Sequence, residues 1–91
     1  MMETLMRLFQ KDSRYKELVK VVFDNPYSEK KDVIKKANID TESGEKLLAD
    51  LEKELIMLEL TSQASSNIES RVPKKIYLVN PDIVEELETM F

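Results

Sequence analysis

The side chains best suited to hold a phosphate come in short runs: Lys30-Lys31, Lys35-Lys36, and Arg71 with Lys74-Lys75 in "RVPKK". Each offers a positive charge and N–H donors, the chemistry on which phosphate affinity mainly rests. Thr41, Ser43 and Lys46 in "TESGEK" add hydroxyls and an ammonium that suit phosphate oxygens or base edges. The same stretch is crowded with carboxylates. From Thr41 to Leu60 six acids (Glu42, Glu45, Asp50, Glu52, Glu54, Glu59) oppose two lysines (Lys46, Lys53). A carboxylate is repelled by phosphate, although glutamate can accept from the amino group of cytosine.

Other chemistry is scarce. The chain has no histidine, which removes the commonest general base and metal ligand, and no cysteine, which removes disulfides and thiolates. Acid runs such as "VEELE" have no second catalytic residue type beside them and read as a solvated helix face. The expectation is a protein that is not an enzyme and needs no metal or cofactor.

The 91 residues suffice for one domain with a modest core. At 42% hydrophobic and 35% charged, with one glycine and three prolines, the composition is that of a mostly helical globular protein. The net charge of −4 is unevenly spread: residues 28–40 carry +1 and 61–80 carry +2, whereas 41–60 and 81–91 carry −4 each. No apolar run approaches a membrane span, and the first residues lack the uncharged core of a signal peptide, so the expected location is cytoplasmic.

These groups are set on elements that the pattern outlines. Met2, Leu5, Met6 and Phe9 form a short helical stripe. Tyr15, Leu18, Val19, Val22 and Phe23 form a stronger one that stops before Pro26. The two stripes could be separate helices, the second capped by Ser13, or one helix with a weak middle. Ser28 reads as the cap of a helix burying Val33, Ile34 and Ala37, with Lys31 and Lys35 turned outward. Asn38 suits a left-handed turn, Ile39 plugs the core, and Asp40 or Thr41 caps a further helix whose buried face holds Gly44, Leu47, Leu48, Leu51 and Leu55. "IMLEL" reads as helix or strand, and "KIYLVN" as a strand beyond a polar tip. Asn80, Pro81 and Asp82 start a last helix striped by Ile83, Val84 and Leu87, with Met90 or Phe91.

Helix, helix, tight turn, helix, hairpin, helix is an order that resembles the winged helix-turn-helix domain from about Ser13 onward. The stretch "NIDTESGEKLLADLEKELIM" is similar to that family's run of turn residue, apolar residue, polar cap and LLxxLExxGLI. Asn38 stands at the turn, Leu47, Leu48, Leu51 and Glu52 at the LLxxLE core, and Ile56 and Met57 at the apolar pair that begins the first wing strand. Two positions depart. Leu55 replaces the glycine that usually leaves the helix, so a different exit, such as a longer helix, is expected. Gly44 replaces a common apolar anchor, at about 1 kcal/mol of helix propensity.

The resemblance implies one domain over residues 1–91, mainly α with a small β-hairpin. Residues 1–12 form an N-terminal helical extension, 61–75 the wing and 81–91 the C-terminal helix. It also implies a DNA-binding transcriptional regulator. Carried over by position, Thr41, Ser43 and Lys46, with Glu42 and Glu45, face the bases, while Lys31, Lys35, Arg71, Lys74 and Lys75 face the backbone. The terminal stripes either pack on the chain's own core or, as the resemblance implies for regulators that pair through terminal helices, form a homodimer with Leu5, Met6, Phe9, Ile83, Leu87 and Phe91 as the partner surface. Plainer readings stand beside these. Glu42 and Lys46 are an i, i+4 pair that stabilises any helix by a few tenths of a kcal/mol, and the acidic helix with its apolar ends also fits a protein–protein module that binds no DNA.

Overall fold

The computed structural model describes residues 2–62 and 74–91. The elements are α1 (Met2–Lys11), α2 (Ser13–Asp24), β1 (Ser28–Glu29), α3 (Lys30–Lys36), α4 (Thr41–Lys53), β2 (Met57–Ser62), β3 (Lys74–Val79), a 3-10 turn (Pro81–Ile83) and α5 (Val84–Met90). The chain is thus mostly helical with a small antiparallel sheet in the order β1-β3-β2. None of the described helices is long and apolar enough to cross a membrane.

The first two stripes are separate helices. Asp12 caps α2: its carboxylate accepts from the Arg14 N–H at 2.9 Å, and Ser13 becomes the first helical residue instead of the cap. Asp12 also faces the Arg14 guanidinium at 2.8 Å, and this bond holds its carboxyl below the usual carboxylate range. α2 ends where Asn25, ahead of Pro26, returns both its backbone and side-chain N–H to the Val21 carbonyl.

Beyond Pro26 the structure departs from expectation. Tyr27 takes a left-handed φ of 68° and gives its N–H to the Tyr77 carbonyl at 2.9 Å. That turn delivers Ser28 and Glu29 to β3 as a third strand, paired Ser28 with Tyr77 and Glu29 with Ile76. Ser28 therefore does not cap α3, and its hydroxyl donates to the Asn25 carbonyl at 2.6 Å. Asn38 is left-handed as its type suggests (φ 58°), and Asp40 caps α4 by accepting from the Ser43 N–H at 3.0 Å.

α4 buries Gly44, Leu47, Leu48 and Leu51 but not Leu55, which lies beyond the helix and is 60% exposed. The helix is not prolonged there. Leu55 itself adopts φ 60°, performing the glycine-type exit with a side chain that disfavours it. The Asn80 side-chain amide donates to the Leu55 carbonyl at 2.8 Å, and the Asn80 N–H reaches the Ile56 carbonyl at 3.0 Å. These bonds tie the helix exit to the end of β3. β2 then runs antiparallel to β3 from Met57 opposite Val79 to Ser62 opposite Lys74. Most of the expected wing, residues 63–73 with Arg71, lies outside the described residues.

The terminal stripes turn inward. Leu5, Ile83 and Leu87 are buried in the chain's own core, so the structure withdraws them from the partner surface expected of them. Phe9 and Phe91 are half-buried against that core, and the Phe91 ring meets Phe23 edge-on at 5.4 Å. Of the six residues, Met6 is the exposed one, at 47%. An amphipathic stripe looks the same in sequence whether its apolar side meets its own chain or another.

Candidate functional site

A groove of about 610 Å³ opens where α3, the start of α4 and the near end of β3 converge. Lys30, Lys31 and Lys35 reach it from α3, Thr41 and Glu45 from α4, and Lys75 from β3, while Ile34 and Ile39 supply apolar lining. Helical spacing accounts for the pairs. Residues four apart fall on one side of a helix, which aligns Lys31 with Lys35 and Thr41 with Glu45. Val33 anchors the opposite side of α3 in the core, and Ile34, also buried, lies between the two sides and floors the groove.

Strand geometry divides Lys74 from Lys75 at the start of β3. Successive strand residues point to opposite faces. Lys75 shares the face of Tyr77, which is fully buried beneath the sheet, and so turns toward the helices and the groove. Lys74 lies on the reverse face and meets Glu29 at 3.9 Å. Of the residues expected to bind DNA, the groove unites Lys31, Lys35, Thr41 and Lys75. Lys46 is paired with Glu42 at 3.7 Å away from the groove, and Ser43 is half-buried with its N–H committed to the Asp40 cap.

Carboxylates interrupt the positive charge. Glu29, Asp40 and Glu45 line the groove with the four lysines, and Glu59 approaches Lys75 at 3.6 Å. Two of the three lining acids are engaged, Glu29 by Lys74 and Asp40 by the Ser43 N–H, which holds the Asp40 carboxyl below its usual range. Glu45 has neither an ion pair nor a side-chain hydrogen bond among the described residues, and the same holds for Lys30, Lys31 and Lys35. The Lys75–Glu59 pair does not silence its cation. Lys75 keeps 64% of its side chain exposed, and exposed pairs contribute only about 0–1 kcal/mol.

Behind the groove, Tyr77 donates its hydroxyl to Glu59 at 3.1 Å, and Glu52 of α4 lies close enough for Glu59 to act on its charge. Burial, followed by the Glu59 charge, pushes the Glu52 carboxyl up. On the far side of α4, Tyr15 donates to Asp50 at 2.6 Å and fixes that helix to α2. Neither contact is marked by a local residue pattern. The opposition of Glu59 and Tyr77 follows from strand register, and the Tyr15–Asp50 contact joins residues 35 apart. Among the described residues no group of three or more acids is arranged to hold a metal.

In chemical terms the groove can take an anion along its lysines, offer a hydroxyl from Thr41, and accept a hydrogen bond at Glu45. Against known proteins, the chain matches no family model, no curated protein and no solved structure.

Proposed function

We propose that the chain is a winged-helix module that binds duplex DNA, in the manner of a transcriptional regulator, with the backbone lying against α3 and β3 and the start of α4 facing the bases. The observation that carries this reading is that Lys31, Lys35, Thr41 and Lys75, which come from three elements, line one groove. Phosphate affinity needs cations gathered on one surface more than it needs a positive total. Lys30, the first residue of α3, adds a fourth cation to the groove.

A fluorescence titration of a labelled random duplex across salt concentrations tests the proposal. Each phosphate neutralised contributes about 0.9 to the slope of log affinity against log salt. Replacing Lys31, Lys35 and Lys75 together by alanine is expected to reduce that slope by about 2–3 and to weaken binding at low salt more than tenfold. An unchanged slope, or wild-type affinity no better than that of an unrelated acidic protein, rejects the proposal.

A second reading, contact with another protein, is favoured by the pairing of Lys46, Lys74 and Lys75 with acids. Such a mixed-charge surface suits a protein partner of complementary pattern better than a uniform polyanion. Absence of duplex binding at low salt would favour it.

A further inference from the structure

Resting on the DNA-binding reading above, we infer that Glu45 is a specificity-determining residue that selects cytosine by accepting a hydrogen bond from its exocyclic amino group. Three acids line the groove: Asp40 is committed to the α4 cap, accepting from the Ser43 N–H at 3.0 Å, Glu29 comes from β1 and has an exposed ion-pair partner in Lys74 at 3.9 Å, and Glu45 stands on α4 itself. Glu45 is exposed and has no partner among the described residues. It stands one helical turn after Thr41, in the first half of a 13-residue helix anchored below by Leu47, Leu48 and Leu51.

A carboxylate among phosphate-binding lysines weakens every non-specific encounter, because it repels the polyanion and lowers the local positive field. It recovers that loss only where the ligand offers a hydrogen-bond donor. In the major groove the edge of cytosine offers its N4 amino group, the donor to which aspartate and glutamate are matched. Guanine presents two acceptors there and would leave the carboxylate facing lone pairs. Glu45 therefore penalises wrong sequences more than it strengthens the right one.

The test is selection of duplexes from a randomised pool by the full chain, run in parallel on wild type, Glu45→Gln and Glu45→Ala, with circular dichroism to show that each variant folds. Wild type is expected to enrich cytosine at a fixed position, with roughly 5- to 100-fold preference over guanine there. Glu45→Gln should lose that preference and shift toward adenine, whose N6 and N7 a glutamine can engage together. Glu45→Ala should bind unselected duplex more tightly than wild type. Measurable duplex affinity without cytosine enrichment, or the same enrichment in the glutamine variant, overturns the assignment of Glu45 while leaving the DNA reading intact. No duplex affinity in any of the three proteins overturns both.

Discussion

Ile34 of α3 packs directly over Gly44 of α4: a Cβ added at residue 44 would lie 2.7 Å from both Cγ1 and Cγ2 of the isoleucine. The glycine thus occupies an anchor position not for backbone freedom but because α3 approaches too closely for any side chain. The branch carbons of isoleucine are held near the backbone and cannot swing aside as the end of a long chain would. Replacing Gly44 by alanine should gain about 1 kcal/mol of helix propensity and lose about 1–3 kcal/mol to overpacking, for a net destabilisation near 1 kcal/mol. Urea denaturation measures it. In an Ile34→Ala background the same change should become neutral or stabilising, and persistence of the full penalty there would refute the contact as its cause.

Leu55 carries a side chain at φ 60° where it gains little from burial, being 60% exposed. Left-handed geometry costs an ordinary residue roughly 1–2 kcal/mol, part of which glycine forfeits through its looser unfolded state. Leu55→Gly should therefore stabilise the fold by about 1 kcal/mol, raising Tm by about 4–8 °C in a domain of this size. A thermal melt that is unchanged or lower would show that the leucine side chain makes contacts that compensate for its strain.

The bond from Tyr15 to Asp50 contributes to alkaline stability. Donation to Asp50, and then burial, push the Tyr15 phenol up to about 12, and burial with the Glu52 charge raises Tyr77 as well. The folded chain then holds protons that the unfolded chain releases from about pH 10, so stability is complete below that value and declines as pH rises toward 12. Tyr15→Phe should cost about 1.5 kcal/mol at neutral pH, as expected for loss of a hydrogen bond to a charged acceptor, and should flatten the alkaline decline. An equally steep decline in the variant would contradict the assignment.

Glu52 acts in the opposite pH region. Because its folded-state pKa is raised above the ordinary 4.5, the folded chain binds more protons between those two values, and stability falls as pH rises through that window. Above it the charged carboxylate is a standing cost. Glu52→Gln should be more stable than wild type at pH 7, with the difference shrinking as pH approaches 4.5. A difference that grows on acidification would mean that the carboxylate is stabilising.

Much of this architecture was legible in the residues because it is local. The α2 stripe, the left-handed Asn38, the Asp40 cap and the "KIYLV" strand each follow from side-chain type and period within a few neighbours. β1 was not legible: a serine and a glutamate carry no strand signal, and they become one only because β3, far along the chain, offers an unpaired edge. The candidate site was half legible. Outward lysines at i and i+4 on α3 were plain, but the division of Lys74 from Lys75 required the strand's phase, and the pairing of each with an acid required the tertiary arrangement. The terminal stripes were open for a related reason, since a hydrophobic face does not disclose whose core it fills.

The antiparallel ladder from Met57–Val79 to Ser62–Lys74 locks β3 in a single parity. Changes in the number of residues between the two strands leave that parity untouched, so the connection is free to lengthen or shorten without altering which ammonium is presented to a ligand. One residue added or removed between Lys75 and Tyr77 would instead exchange odd for even. Lys74 would then turn toward the helices and Lys75 away from them, and a two-lysine motif that looks intact on paper would have changed its spokesman.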